Sequence, residues 1–342
     1  MPAEWAKHEG TVLTWPHREE VWRGAHADVE QAFADIAAHL ARVEDVHINV
    51  PNAAWRDRAA RLIAARAFAG DRLFFHEVDS DDVWARDHGP SVVFDLTAPA
   101  ESCRVMVDWV FNAWGGKFGH GLDNLVVRKL NDAWFNWPRV EPNLVMEGGA
   151  FEVNGVGDLL TTEAVLLNAN RNPSLTREQI EARLKEFLGV DRILWLSRGL
   201  LGDDTDGHID DIARFVDEHT IVAVLPESAD HPDYDALAEN VERLRTFVAR
   251  DGEPFRIVTL PSPEPVYYAG EHLPASHANF YIANNLVLVP IFDQPSDVVA
   301  LATLRAVFPG RDVVGVDCRA IVSQYGAIHC ITQQIPAVDA LG

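Results

Sequence analysis

Five side chains of this 342-residue sequence have the types and the spacing of a catalytic set. They are Asp87 in Trp84-Ala85-Arg86-Asp87-His88-Gly89-Pro90, Glu147 in Met146-Glu147-Gly148-Gly149, His208 and Asp210 in Asp206-Gly207-His208-Ile209-Asp210, and Cys330 in Gly326-Ala327-Ile328-His329-Cys330. Asp87 and Glu147 stand 60 positions apart, Glu147 and His208 61, and His208 and Cys330 122, with Ser276-His277-Ala278-Asn279 in the slot between. Such residues suit a guanidinium substrate. That group is flat, cationic and rich in N–H donors, so paired carboxylates such as Asp87 and Asp210 can each grip one edge with two charge-assisted hydrogen bonds. Its central carbon is weakly electrophilic and calls for a soft thiolate. A free cysteine titrates near about 8.5, and a neighbouring cation, either the substrate or protonated His208, favours its thiolate. His208 then protonates departing ammonia and deprotonates the water that hydrolyses the thiouronium, while Glu147 fixes the needed tautomer and raises the imidazole pKa.

Each residue also has a plainer reading. Asp87 before Gly-Pro fits a turn, Glu147 before Gly-Gly fits a loop cap, and a lone cysteine in apolar sequence is usually an inert core residue, the reading given to Cys103 and Cys318. His208, Asp210 and Cys330 could also ligate zinc. No second histidine lies at helical spacing and the cysteines have no partners, so no metal is expected. Trp114-Gly115-Gly116-Lys117 does not match a phosphate-binding fingerprint.

The elements that must position these groups repeat along the chain. Phe280–Ala283 and Leu286–Phe292 read as strands joined at Asn284-Asn285, followed by a helix from Ser296 carrying Leu301, Leu304 and Phe308, then a strand over 312–316. The same strand-strand-helix-strand order runs from Ile212 to Leu260, with Leu237, Val241, Leu244 and Val248 on the helix, and from Ala150 to Leu196, with a strand over 164–167 and a capping box Thr176-Arg177-Glu178-Gln179. A further copy starts near Ser91. The N-terminal unit, 11–15, a helix with Val29, Phe33, Ile36 and Leu40, and 46–50, lacks its first strand, which Ile331–Gln334 can supply. Five units fill residues 1–342 as one domain with no linker. A doubly wound sheet produces similar alternation; the chemical residues, each at or just before the first strand of a unit, favour a cyclic arrangement in which they meet at the axis.

With 29 Lys+Arg against 52 Asp+Glu the net charge is −23. That excludes nucleic acid and anionic membrane surfaces as partners. Hydrophobic residues at 48% and charged ones at 24% exclude a disordered chain. No apolar run spans a bilayer, and Glu4, Lys7, His8 and Glu9 stand where a signal peptide needs an apolar core, so a cytoplasmic protein is expected. Acids crowd the approach to His208 (Asp203, Asp204, Asp206, Asp210, Asp211) and to Asp87 (Asp79, Asp81, Asp82), which would steer a cation inward.

Together with Met1–Trp5, Phe111–Lys117, Asn168–Pro173 and Ile331-Thr332-Gln333-Gln334, these blocks resemble, over essentially the whole chain, the agmatine deiminases and bacterial peptidylarginine-deiminase-like proteins of the guanidine-modifying, or pentein, superfamily. The resemblance implies an α/β fold, a five-bladed pseudo-symmetric propeller, with a covalent cysteine mechanism, no cofactor and a homodimer. It further implies Cys330 as nucleophile, His208 as acid and base, Asp87 and Asp210 as guanidinium ligands and Glu147 as partner of His208, with Trp84, Trp114 and Asp204 around a small cationic guanidino substrate. The expected activity is conversion of agmatine to N-carbamoylputrescine with release of ammonia. Its alternatives are deimination of another ω-guanidino compound or of arginine residues, amidino transfer to an amine, and non-catalytic cation binding. Three positions depart from the family: Ser323-Gln324-Tyr325-Gly326-Ala327 replaces a glycine run, His88 a threonine and Leu201 a tyrosine. The loop beside Cys330 is therefore expected to be bulkier and stiffer, which leaves the substrate's tail open.

Overall fold

The computed structural model describes residues 1–66 and 70–341. Its strands, in chain order, are β1 His8–Thr14, β2 Asp45–Val50, β3 Leu73–Glu77, β4 Ser91–Phe94, β5 Arg104–Val107, β6 Arg139–Val140, β7 Phe151–Val153, β8 Asp158–Thr162, β9 Arg192–Leu196, β10 Ala213–Phe215, β11 Thr220–Val224, β12 Arg256–Leu260, β13 Val266–Tyr268, β14 Glu271–Leu273, β15 Tyr281–Ala283, β16 Leu286–Ile291, β17 Asp312–Asp317 and β18 Gln333–Pro336. Four sheets share one plan. In β4-β5-β6, β7-β8-β9, β10-β11-β12 and β15-β16-β17 an antiparallel hairpin is followed by a parallel third strand. A fifth, β18-β1-β2-β3, has the same antiparallel-then-parallel order plus an extra parallel strand.

Local sequence explains the plan. Asn285 takes the left-handed conformation, φ 56°, that the two-residue turn between β15 and β16 requires. Each parallel pair needs a crossover, supplied in three units by the helices Arg177–Leu188, Tyr234–Thr246 and Pro295–Val307. The first is opened by the expected capping box, Gln179 N to Thr176 Oγ1 at 3.3 Å and Thr176 N to Gln179 Oε1 at 2.8 Å. In the N-terminal unit Val29, Phe33, Ile36 and Leu40 of the helix His26–Leu40 are fully buried. Strand β11 is buried at every residue, the pattern of a strand covered on both faces.

The C-terminal strand does complete the N-terminal sheet: Thr11 pairs with Gln334 and Val12 with Gln333. It begins two residues later than expected, because Ile331 and Thr332 belong to the turn that carries Cys330. Two other expectations fail. Residues 163–166 form a helical turn, since Thr162 caps it through Val165 N at 3.2 Å; a four-residue apolar run does not distinguish turn from strand. Val248 lies past its helix and is 41% exposed. The hairpin of β13 and β14, outside the five sheets, was also not foreseen. No helix among the described residues is long and apolar enough to cross a membrane.

Candidate active site

Each proposed chemical group sits on a short turn just ahead of the first strand of a sheet. Asp87 lies on the one-turn helix Ala85–His88 before β4, Glu147 opens the 3-10 turn Gly148–Ala150 before β7, and Asp210 lies on the 3-10 turn Ile209–Asp211 before β10 with His208 as its first flanking residue. Asn279 precedes β15 by two residues and Cys330 precedes β18 by three. The turns bring their side chains together. A Cβ added at Gly149 would lie 2.6 Å from His208 Nδ1 and 3.0 Å from both Asp210 Oδ2 and Asp87 Oδ1. That position therefore admits only glycine, and its N–H donates to Asp87 Oδ1 at 2.9 Å.

His208 is fully buried between carboxylates, its Nδ1 3.8 Å from Asp87 Oδ1 and its Nε2 3.8 Å from Glu147 Oε2. Burial alone would depress its pKa, but Asp87, Glu147 and Asp210 raise it to about 10. The imidazole is thus a cation. This revises the expectation that Glu147 selects a tautomer: at 3.8 Å it stabilises charge, and its Oε1 accepts instead from Arg171 Nε at 2.6 Å. Both nitrogens of His208, Glu147 Oε2 and Asp210 Oδ1 are buried without a hydrogen-bond partner. Four unsatisfied polar atoms in one buried cluster are costly unless a polar ligand meets them.

Asn279 holds the cysteine. Its Oδ1 accepts from His329 N at 2.9 Å and Cys330 N at 3.4 Å, and its Nδ2 donates to Cys330 Sγ at 3.1 Å and Asp211 Oδ1 at 3.0 Å. Burial, then Asp210, Asp211 and Asp87, push the Cys330 thiol well above its ordinary value, so it rests protonated. Asp210 Oδ2 accepts from His329 Nδ1 at 2.7 Å, and His329 Nε2 bonds Glu4 Oε2 at 2.7 Å. Despite its burial, Asp210 is held below the usual carboxylate range by this bond and the charges of His329, His208 and Arg214. Asp87 is raised, chiefly by burial. Asp210, Asp211 and Cys330 place potential metal-ligand atoms within 4.8 Å of one another, and Asp211 is pushed well up by burial and by Asp210.

A cavity of about 190 Å³ opens onto Cys330 and Asp87, walled by Trp84, Trp114 and Asp204 and further by Asp82, Phe118 and Gln324. Trp114 Nε1 donates to Asp87 Oδ2 at 2.9 Å, which aims the carboxylate. Of the acids expected to crowd the approach, most are engaged: Asp203 accepts from Thr205 and Gly207, Asp206 pairs with Lys117 and Arg171, Asp81 pairs with Arg18, and Asp210 and Asp211 are buried. Sequence reasoning missed Arg171, His329, Glu4 and the part played by Asn279. Asn279 carried a signal in its place in the fourth slot of the repeat, while Glu4, Arg171 and His329 lie in blocks that carry the resemblance but show nothing of their contacts; Glu4 is 325 positions from the histidine it touches.

A family model described as Porphyromonas-type peptidyl-arginine deiminase matches residues 1–336. An agmatine deiminase of Stutzerimonas stutzeri is 39% identical over 98% of this chain and 95% of its own. Among solved structures, an agmatine deiminase of Enterococcus faecalis superposes with a TM-score of 0.91 at 30% identity, covering 99% of this chain and 96% of its own. A C. jejuni agmatine deiminase variant with substrate bound gives 0.87 at 31% identity, over 98% and 95%.

Proposed function

The chain belongs to the Porphyromonas-type peptidyl-arginine deiminase family, and from that premise we propose that it hydrolyses the guanidinium of agmatine to a ureido group, releasing ammonia and N-carbamoylputrescine. The observation that carries this reading is the cluster of unpartnered polar atoms on His208, Glu147 and Asp210 beside a thiol and a cavity lined by tryptophans and by Asp82, Asp87 and Asp204. A guanidinium supplies the donors that Glu147 Oε2 and Asp210 Oδ1 lack and a positive charge against the carboxylates; the two N–H groups of cationic His208 face acceptors only once a leaving nitrogen or a water stands beside them.

Asp87 and Asp210 hold the guanidinium. Its charge offsets the carboxylates that keep Cys330 protonated, and the thiol proton leaves to solvent as the cation enters. The Sγ electron pair then bonds to the central carbon. The C–N bond breaks as His208, a cation before this step, passes a proton to the leaving nitrogen, giving ammonia and an S-alkylthiouronium. Neutral His208 takes one proton from water, the resulting hydroxide attacks the same carbon, and the C–S bond breaks as the remaining hydroxyl proton passes to Cys330 Sγ, leaving the ureido product and the thiol. Trp84, Trp114 and Asp204 line the path of the substrate's tail. Cys330→Ala should abolish ammonia release from agmatine while agmatine still binds, as read by isothermal titration; turnover by that variant overturns the covalent mechanism.

The same proposal includes the finer architecture. Five sheets of one plan, the last completed by pairing β18 with β1, support a single-domain, five-bladed propeller whose turns converge on the site. The homodimer implied by the resemblance and the cytoplasmic residence expected from the sequence belong to it too, the first checked by light scattering. The chemistry needs no cofactor, and activity should survive exhaustive chelation; a loss that zinc restores overturns that part.

A further inference from the structure

Tyr325, on the wall of the cavity, takes part in a cluster of contacts that the reaction does not use. Tyr325 Oη donates to Glu271 Oε2 at 2.7 Å, and Arg23 reaches the same oxygen from Nη1 at 2.9 Å and Tyr325 Oη from Nη2 at 3.4 Å. The Arg23 guanidinium lies 5.4 Å from the ring centre of Tyr268 and 5.7 Å from that of Tyr325, and Tyr268 Oη donates to the Arg23 carbonyl at 2.9 Å. Three segments are joined by these contacts: the turn after Glu19–Trp22, the hairpin of β13 and β14, and the loop 321–326 next to Cys330. The hairpin also grips the loop before His208 through His272 Nδ1 and Leu201 O, 2.9 Å apart. Arg23 and Tyr325 both have positive φ, at 50° and 70°. Non-glycine residues held there mark a conformation that the surrounding contacts impose.

We propose that Arg23, Tyr268, Glu271 and Tyr325 form a clasp over the cavity that confines the substrate to a free small guanidine and excludes an arginine side chain still carried on a polypeptide. The proposal rests on the guanidine-hydrolase reading and selects among its substrates. An arginine within a polypeptide needs a main chain leaving the pocket in two directions. Here Gln324 and Tyr325 of the loop, and Val21 from the helical turn that leads into Arg23, are part of the wall. At about 190 Å³ the space is smaller than the roughly 300–1,000 Å³ of sites for drug-sized ligands. Its far end is nevertheless polar. Gln324 Nε2 is buried without a partner, and the Asp204 carboxyl, raised first by burial, feels the charge of Glu271. Because the side chains of Arg23 and Glu271 are 33% and 55% exposed, their pairing is weak enough to open for entry.

The test compares the full-length protein with Tyr325→Gly and, on the opposite side of the clasp, Glu271→Gln. Ureido product is measured from agmatine and from a capped tetrapeptide with an internal arginine. Alkylation of Cys330 is followed in parallel by mass spectrometry, with iodoacetamide and with a bulky biotin-maleimide. The unaltered protein should favour agmatine by a hundredfold or more, and both variants should narrow that ratio by roughly tenfold while speeding maleimide labelling more than iodoacetamide labelling. An unchanged substrate ratio with unchanged labelling selectivity overturns the clasp, as does efficient turnover of the peptide by the unaltered protein. Labelling needs no turnover. Faster maleimide labelling in variants of a protein that hydrolyses no guanidine would therefore refute the reaction while retaining the clasp as a barrier at the mouth.

Discussion

Cys330 is surrounded by acid, and Asn279 is the neutral side-chain donor aimed at its sulfur, beside the Ala327 backbone. An N–H donor favours the thiolate over the thiol, whereas a carboxylate in the same place opposes it. Asn279→Ala should therefore move the midpoint of the iodoacetamide rate against pH upward by about one unit, equivalent to about 1.4 kcal/mol, and Asn279→Asp should move it further. Unchanged profiles would reduce Asn279 to a backbone anchor. A second titration concerns Asp82, raised to about 7 by burial and by Asp123. As pH climbs through about 7, this wall of the cavity gains a negative charge, so KM for agmatine should fall, and Asp82→Asn should flatten that change. His208 acts on stability in the opposite sense. Its pKa rises from 6.5 to about 10 on folding, so its contribution is complete below pH 6.5 and is lost as pH rises through about 10. The urea midpoint should decline across that window, and the decline should weaken in His208→Gln.

At the scale of elements, the site depends on turns held from behind by a buried ion network. Glu4 accepts from Arg214 Nη2 at 2.9 Å, Arg86 Nη2 at 3.1 Å and Ile282 N at 2.9 Å while also meeting His329. Arg214 in turn pairs with Glu152 at 2.9 Å, and Arg86 donates to Gln334 Oε1 at 2.7 Å. One N-terminal carboxylate thus connects the turns that carry Asp87, Asp210 and Cys330. Glu4→Ala leaves buried cations short of a partner and should cost about 3–5 kcal/mol in urea denaturation, with a weaker hold on guanidinium because His329 no longer steadies Asp210. A loss below 1 kcal/mol would show the network to be redundant. This network also marks where sequence reading stops. Hairpins, crossover helices and the repeat were legible because period and turn chemistry are local, as at Asn284-Asn285 and Thr176-Gln179. The convergence of Asp87, Glu147, His208, Asp210 and Cys330 was legible because equivalent places in a repeat come together in the fold. Glu4, Arg171 and His329 were not, since a buried charge looks like any surface charge until the fold supplies its partner. The same holds for Tyr325, whose bulk was foreseen but whose bonds to Arg23 and Glu271 join positions 302 and 54 residues away.

For the molecule as a whole, the question is how much of a net charge of −23 acts on the substrate. Long-range attraction requires unpaired charge near the entrance, and most acids there already have donors or cations of their own. Asp82 and Asp204 remain on the cavity wall, and Asp204, raised chiefly by burial, shares its surroundings with Lys117. Steering by so few charges is modest, because exposed charges are screened beyond a Debye length of about 10 Å at 0.1 M salt. The value of kcat/KM for agmatine should therefore fall by less than about tenfold between low salt and 0.5 M. Most of that fall should disappear in Asp204→Asn, whereas a charge reversal at a distant acid such as Asp71 should leave it unchanged. A much steeper dependence, insensitive to Asp204, would mean that the field of the whole acidic surface draws the cation in.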